Sequence, residues 1–104
     1  MNRDEFNKVI NRRLSDINHT LVLKGAEYAE DNNVFHNFDR AAAVLNTHRT
    51  QALWGMYIKH HVSVDDMVNC RRGFDEPIVR EKIGDMINYL ILLEAMLTED
   101  AVPF

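Results

Sequence analysis

From Ile78 to Leu97 the chain has no proline and a single glycine, Gly84. Its apolar members Ile83, Met86, Ile87, Leu90, Ile91, Leu93 and Met96 spread over more than half of a helix's circumference. A helix that apolar is normally enclosed, either by other helices of its own chain or by a second subunit. Pro77 suits the first helical position because it has no N–H to leave unpaired, and Asp75 or Glu76 just ahead of it can cap. The stretch therefore predicts a long closing helix and, around it, enough other helices to cover it.

The rest of the chain supplies them. Phe6, Val9, Ile10, Leu14, Ile17 and Leu21 recur at three- and four-residue steps, the mark of one helix with a single apolar face. Asn2 and Glu5 have the spacing of a capping box. The pattern continues to about Ala29, with Gly25 costing near 1 kcal/mol against alanine. A short second helix follows through Ala41, Ala42, Ala43 and Leu45, capped by Asn37 or the residue before it, with Asn46-Thr47-His48 as its closing loop. Thr47 or Thr50 opens a third, carrying Leu53, Trp54, Tyr57, Ile58 and Val62; a turn near Ser63 can split it, and Arg71-Arg72-Gly73 is a favourable stop. The expected architecture is all-α, a bundle of four or five helices in one domain over residues 1–104, completed by oligomerisation, with 98–104 as a tail.

Composition narrows the function classes. At 104 residues the chain has room for one core and buries roughly 65% of its unfolded surface, enough to fold without disulfides. Its one cysteine, Cys70, has no second thiol for a disulfide or a zinc knuckle, which suits a reducing cytoplasm; a buried or half-buried thiol is expected. The opening Met1-Asn2-Arg3-Asp4-Glu5 lacks the apolar stretch of a secretory signal, and no segment reaches the length of a membrane span, so a cytoplasmic protein without a membrane partner is expected. Twelve basic against sixteen acidic side chains give a formal charge of −4. Nucleic-acid binding needs a clustered basic surface, and a helix-turn-helix reader ranks last for that reason.

Carboxylates are the first hint of chemistry. Glu81, Asp85 and Asn88 are four and three residues apart and share one face of the closing helix. Ionised carboxylates on a largely buried helix are costly unless paired or metal-bound; at the helix's N-terminal part they are instead favoured by the dipole. Glu27, Glu30 and Asp31 form a second cluster at the end of the first helix. If the first and last helices pack antiparallel, the two clusters converge on an oxygen-rich site of the kind magnesium prefers. Lys24 could reach a phosphate, or simply pair with Glu27 or Asp31; Lys59 could bind phosphate, or simply be solvated. His60 could bind phosphate or relay a proton, or belong to a solvated Lys-His-His run. Tyr28, Trp54 and Tyr89 could stack on a base or fill core. Asn37 and Asn88 could read a base edge or orient a water.

Several short segments carry a resemblance: Lys24-Gly25-Ala26-Glu27-Tyr28-Ala29, Asn37-Phe38, Gln51-Ala52-Leu53-Trp54-Gly55-Met56, Lys59-His60, Glu81-Lys82-Ile83-Gly84-Asp85 and Ile87-Asn88-Tyr89-Leu90. Together they resemble a group of small phage and prophage proteins, similar in turn to the MazG and dimeric dUTPase superfamily of all-α nucleoside triphosphate pyrophosphohydrolases. The likeness spans Lys24 to Ala95. It implies a MazG-like fold, a homodimer or homotetramer, and magnesium-dependent conversion of a nucleoside triphosphate to monophosphate and pyrophosphate in the cytoplasm, a host's if the gene is a phage's. Glu27-Tyr28-Ala29-Glu30 matches the superfamily's Glu-x-x-Glu metal motif, and Asp85 supplies the aspartate of its Glu-x-x-Asp motif. The glutamate of that second motif is replaced by Lys82. Glu81, one residue earlier, stays on the same face and can take its place; alternatively the fold now serves recognition. The implied metal ligands are Glu27, Glu30, Glu81 and Asp85, with Glu27, Glu30 and Asp85 catalytic. Lys24, Tyr28, Asn37, Lys59, His60, Asn88 and Tyr89 would contact nucleotide. The rival is a non-catalytic protein of the same fold that binds a nucleotide or a host protein.

Overall fold

The structure is a computed structural model that describes residues 1–25, 33–70 and 74–101. The chain is all-α: α1 (Arg3–Ile17) runs into a wider π segment (Asn18–Lys24), followed by α2 (His36–Leu45), α3 (Arg49–Asn69) and α4 (Glu76–Asp100). It forms two compact units, Met1–Val34 and Phe35–Phe104. Among the described residues, no helix is long and apolar enough to cross a membrane.

In the first unit the expected capping box is present. Asn2 Oδ1 accepts from the Glu5 amide at 2.8 Å, and the Asn2 amide donates to Glu5 Oε2 at 3.0 Å, satisfying two of the donors a helix start leaves open. The apolar stripe of Phe6, Val9, Ile10 and Leu14 is exposed, and α1 contains no buried residue. Beyond Ile17 the helix does not continue as α but widens for seven residues. Asn18, His19, Thr20 and Val22 are all weak helix formers, so the α geometry has little intrinsic preference to defend there.

The second unit holds the core. Leu53 and Met96 are fully enclosed, with Phe35 and Tyr57 nearly so, and Phe38, Met86, Tyr89, Leu92 and Leu93 pack against them. α2 begins two residues earlier than an Asn37 cap requires and one earlier than a cap at His36: Phe35 stands at the N-cap without a side-chain bond, and Asn37 lies inside the first turn. Packing of Phe35 into the core, rather than capping chemistry, sets this start. α2 ends at Asn46, which adopts a left-handed φ of 52°. The Thr47 amide then reaches back to the Ala42 carbonyl at 3.0 Å, the closure that asparagine tolerates better than most residues.

The cap of α3 is His48 rather than either threonine, its ring accepting from the Thr50 amide at Nδ1, 3.2 Å away. No turn splits α3 at Ser63, because the hydroxyl donates to the Lys59 carbonyl at 3.0 Å and stays within the helix. The helix ends at Asn69, and the Arg71-Arg72-Gly73 stop lies outside the described residues. Cys70, the residue after it, is a half-buried free thiol.

Asp75 is the N-cap residue of α4 and Pro77 lies in its first turn. The helix continues three residues beyond Leu97, into the expected tail. Thr98 Oγ1 donates to the Glu94 carbonyl at 2.7 Å, and Asp100 receives Arg49 through Nη2 at 2.6 Å and Nε at 3.3 Å. Arg49 also lies 3.4 Å from Glu99 and 3.8 Å from Asp39, with its guanidinium 5.0 Å from the Phe35 ring centroid. The Arg49 hydrogen bond holds the Asp100 carboxyl below its usual range, and Asp100 in turn raises the guanidinium. One side chain thus clips the start of α3 to α2 and to the last turn of α4.

Candidate functional site

Three helices of the second unit bring the site together. α3 contributes His60, α4 contributes Asp85 and Tyr89 one turn apart, and α2 contributes Phe38. His60 Nδ1 lies 3.6 Å from Asp85 Oδ2, within ion-pair reach. The imidazole leans on the Tyr89 ring at 4.8 Å between centroids with a 31° tilt, and Phe38 meets Tyr89 edge-on at 6.3 Å. The row Phe38-Tyr89-His60 thus ends at a carboxylate. Burial raises the Tyr89 phenol above its ordinary value, and the Asp85 charge adds to the rise, since both oppose a second anion there.

The Lys59-His60-His61 run does not behave as a uniformly solvated stretch. The His60 side chain is 18% exposed and that of Asp85 40%. Lys59 is exposed, and His61 is tied instead to the buried Tyr57, whose hydroxyl lies 3.0 Å from His61 Nδ1. Only the middle residue turns toward Asp85. Asn88 stands beside Tyr89 in sequence; its Oδ1 is buried and has no hydrogen-bond partner among the described residues.

The remaining expected residues divide in two. Glu81 is exposed on α4 one turn before Asp85, and the two carboxylates share a face as the spacing requires. Asn37 is exposed, and among the described contacts none joins it to His60, Asp85 or Tyr89; its neighbour Phe38 takes the place by the aromatic row. Lys24 is an exposed residue of the first unit. Glu27, Tyr28 and Glu30 lie outside the described residues, and with them the expected approach of Glu27 to Asp85. Trp54, weighed as a base platform, is about half exposed and tilts against Tyr57 at 4.8 Å.

Among the described residues, no three histidine, cysteine or carboxylate side chains converge as a metal cage. Magnesium does not require one: it commonly keeps several waters and is held by one or two carboxylates together with substrate phosphates. Glu81 and Asp85, oxygen donors with solvent access one turn apart, fit that mode.

No protein-family model matches the chain, and no curated protein or solved structure matches it.

Proposed function

We propose that the chain is a magnesium-dependent nucleotide pyrophosphohydrolase, converting a nucleoside triphosphate to monophosphate and pyrophosphate as a cytoplasmic homo-oligomer. The observation that carries this reading is the contact between His60 and Asp85 beside Tyr89, because it places a titratable base, a carboxylate and an aromatic wall at one spot. The motif resemblance from Lys24 to Ala95 supports it independently.

Asp85 has two tasks. Oδ2 faces His60 Nδ1 and favours the tautomer with its proton there, leaving Nε2 to accept a proton from an attacking water. Asp85 and Glu81, one turn apart, would hold magnesium, with Glu27 and Glu30 as further donors that the resemblance alone implies. Magnesium, when bound, supplies charge neutralisation for the phosphates. Tyr89, itself met edge-on by Phe38, restricts the imidazole plane, so the base is held in place before substrate arrives. Lys59, the exposed neighbour of His60, is a cation the second unit offers for phosphate; Lys24 is a phosphate contact through the resemblance alone.

The test is incubation with ribo- and deoxynucleoside triphosphates and magnesium, with detection of pyrophosphate. Wild type should release it, and Asp85→Asn should lower turnover by orders of magnitude while keeping its melting temperature in metal-free buffer. No pyrophosphate from any nucleotide, together with no thermal shift on adding magnesium, would overturn the reading. A second reading, a binding protein of the same fold, is favoured by Lys82 at a carboxylate position; it takes the lead if nucleotides raise the melting temperature without being hydrolysed.

A further inference from the structure

Arg49 meets Asp100 and His60 meets Asp85, so α3 and α4 run antiparallel along their contact. The turn of α3 after His60 therefore faces the turn of α4 before Asp85, and Lys82 lies in that turn. With about 100° per residue, Lys82 stands roughly 20° around the axis from Tyr89, two turns away, with Asp85 between them and about 60° to one side. His60 touches both Asp85 and Tyr89. Lys82 is thus one turn nearer the start of α4 on the line that the imidazole covers, and Glu81 flanks Asp85 on the other side.

Lys82 is half-buried, and among the described residues it forms no ion pair. Asp85 turns Oδ2 to His60 instead. The opposite helix supplies no carboxylate, because Asp65 and Asp66 are exposed and lie at least about a third of a turn around α3 from His60. A partly covered ammonium without a counter-charge is an unfavourable arrangement for the chain by itself. A cation beside Glu81 and Asp85 also opposes the binding of a bare divalent ion to that pair, since like charges so close repel. Both objections vanish when an anion of several charges arrives. A polyphosphate chain can contact Lys82 and a magnesium ion held by Glu81 and Asp85 at once, and each contact then favours the other.

We propose that Lys82 binds the phosphate chain of the nucleotide, and that its charge makes magnesium binding at Glu81 and Asp85 depend on that chain. The assignment rests on the nucleotide-site reading above but not on turnover, and it holds equally for a site that binds without hydrolysing.

Inorganic tripolyphosphate is the probe, titrated by calorimetry at low ionic strength with and without magnesium. Magnesium alone is titrated in parallel, and circular dichroism confirms unchanged helicity. Lys82→Gln should weaken tripolyphosphate binding about tenfold in both buffers, the loss of one charge-assisted contact, while binding magnesium alone at least as tightly as wild type. Lys82→Arg should restore most of the tripolyphosphate affinity, since arginine also binds phosphate. Opposite effects on the two ligands separate this role from a structural one, in which both affinities fall together. If these shifts appear and no nucleotide is hydrolysed, Lys82 keeps its role and the hydrolase reading alone falls. Wild-type tripolyphosphate binding that Lys82→Gln leaves unchanged, or a parallel loss of magnesium affinity, would overturn the proposal and leave the hydrolase reading to its own test. A wild type that binds no tripolyphosphate in either buffer would overturn the proposal together with the site on which it rests.

Discussion

Asn88→Leu should make the protein more stable. The Oδ1 atom of Asn88 is buried with no hydrogen-bond partner among the described residues, and an orphaned buried acceptor costs about 1–3 kcal/mol. The residue as a whole is only half-buried, so the lower end, about 1 kcal/mol, is the appropriate figure for replacing it with an apolar side chain of similar size. Leucine also exceeds asparagine in helix propensity by about 0.5 kcal/mol. The expected gain is about 1.5 kcal/mol, which for a unit of this size raises the melting temperature by roughly 6–12 °C. Thermal unfolding followed by circular dichroism reads it directly. If the amide also contacts nucleotide, binding weakens as stability rises, the trade expected of a site that keeps an unfavourable group for function. A variant that melts below wild type would refute the reasoning, since it would mean that the carbonyl makes a bond worth more than the burial costs.

The other expectations are more direct. Leu53→Ala removes a side chain with no exposure at the centre of the core and should cost about 2–5 kcal/mol in denaturant unfolding, with the slope unchanged. The Asp100 carboxyl is held below its ordinary value by Arg49; its contribution is therefore present above the unfolded-state pKa and lost as pH falls through the folded one, so Asp100→Asn should flatten the acid limb of the stability profile. The Tyr89 phenol is shifted the other way, chiefly by burial. Its contribution is intact below the unfolded-state value near 10 and lost as pH rises through the higher folded one, so alkaline titration of phenolate absorbance should show a late component absent from Tyr89→Phe.

What could be read from the residues, and what could not, separates by the range of the interaction. The Asn2-Glu5 box and the existence of a long closing helix depend on neighbours three or four residues apart, and both stand in the structure, although α4 runs to Asp100 rather than Leu97. The clip of Arg49 to Asp100 spans fifty-one residues, and no local pattern announces it; it is one reason α4 outlasts Leu97. Helix starts failed where packing or an unusual cap decided them, as at Phe35 and His48. Within the site, the shared face of Glu81 and Asp85 was legible from spacing; the place of Tyr89 beside Asp85 and His60 was not read. Which member of Lys59-His60-His61 would turn inward was not, because a facing helix and Tyr57 sort them. Phe38 was visible only as the neighbour of Asn37, since a phenylalanine at helical spacing looks like any other core residue.

The π segment changes how α1 should be thought of. A turn closed from i to i+5 holds roughly one residue more than an α turn, so each such turn sets the residues after it back by about 100° around the axis, one α-helical step. Seven residues of this geometry, Asn18–Lys24, amount to more than one such delay. The segment acts as a phase shifter: the direction in which Lys24 points cannot be found by extending the Phe6-Ile10-Leu14 wheel.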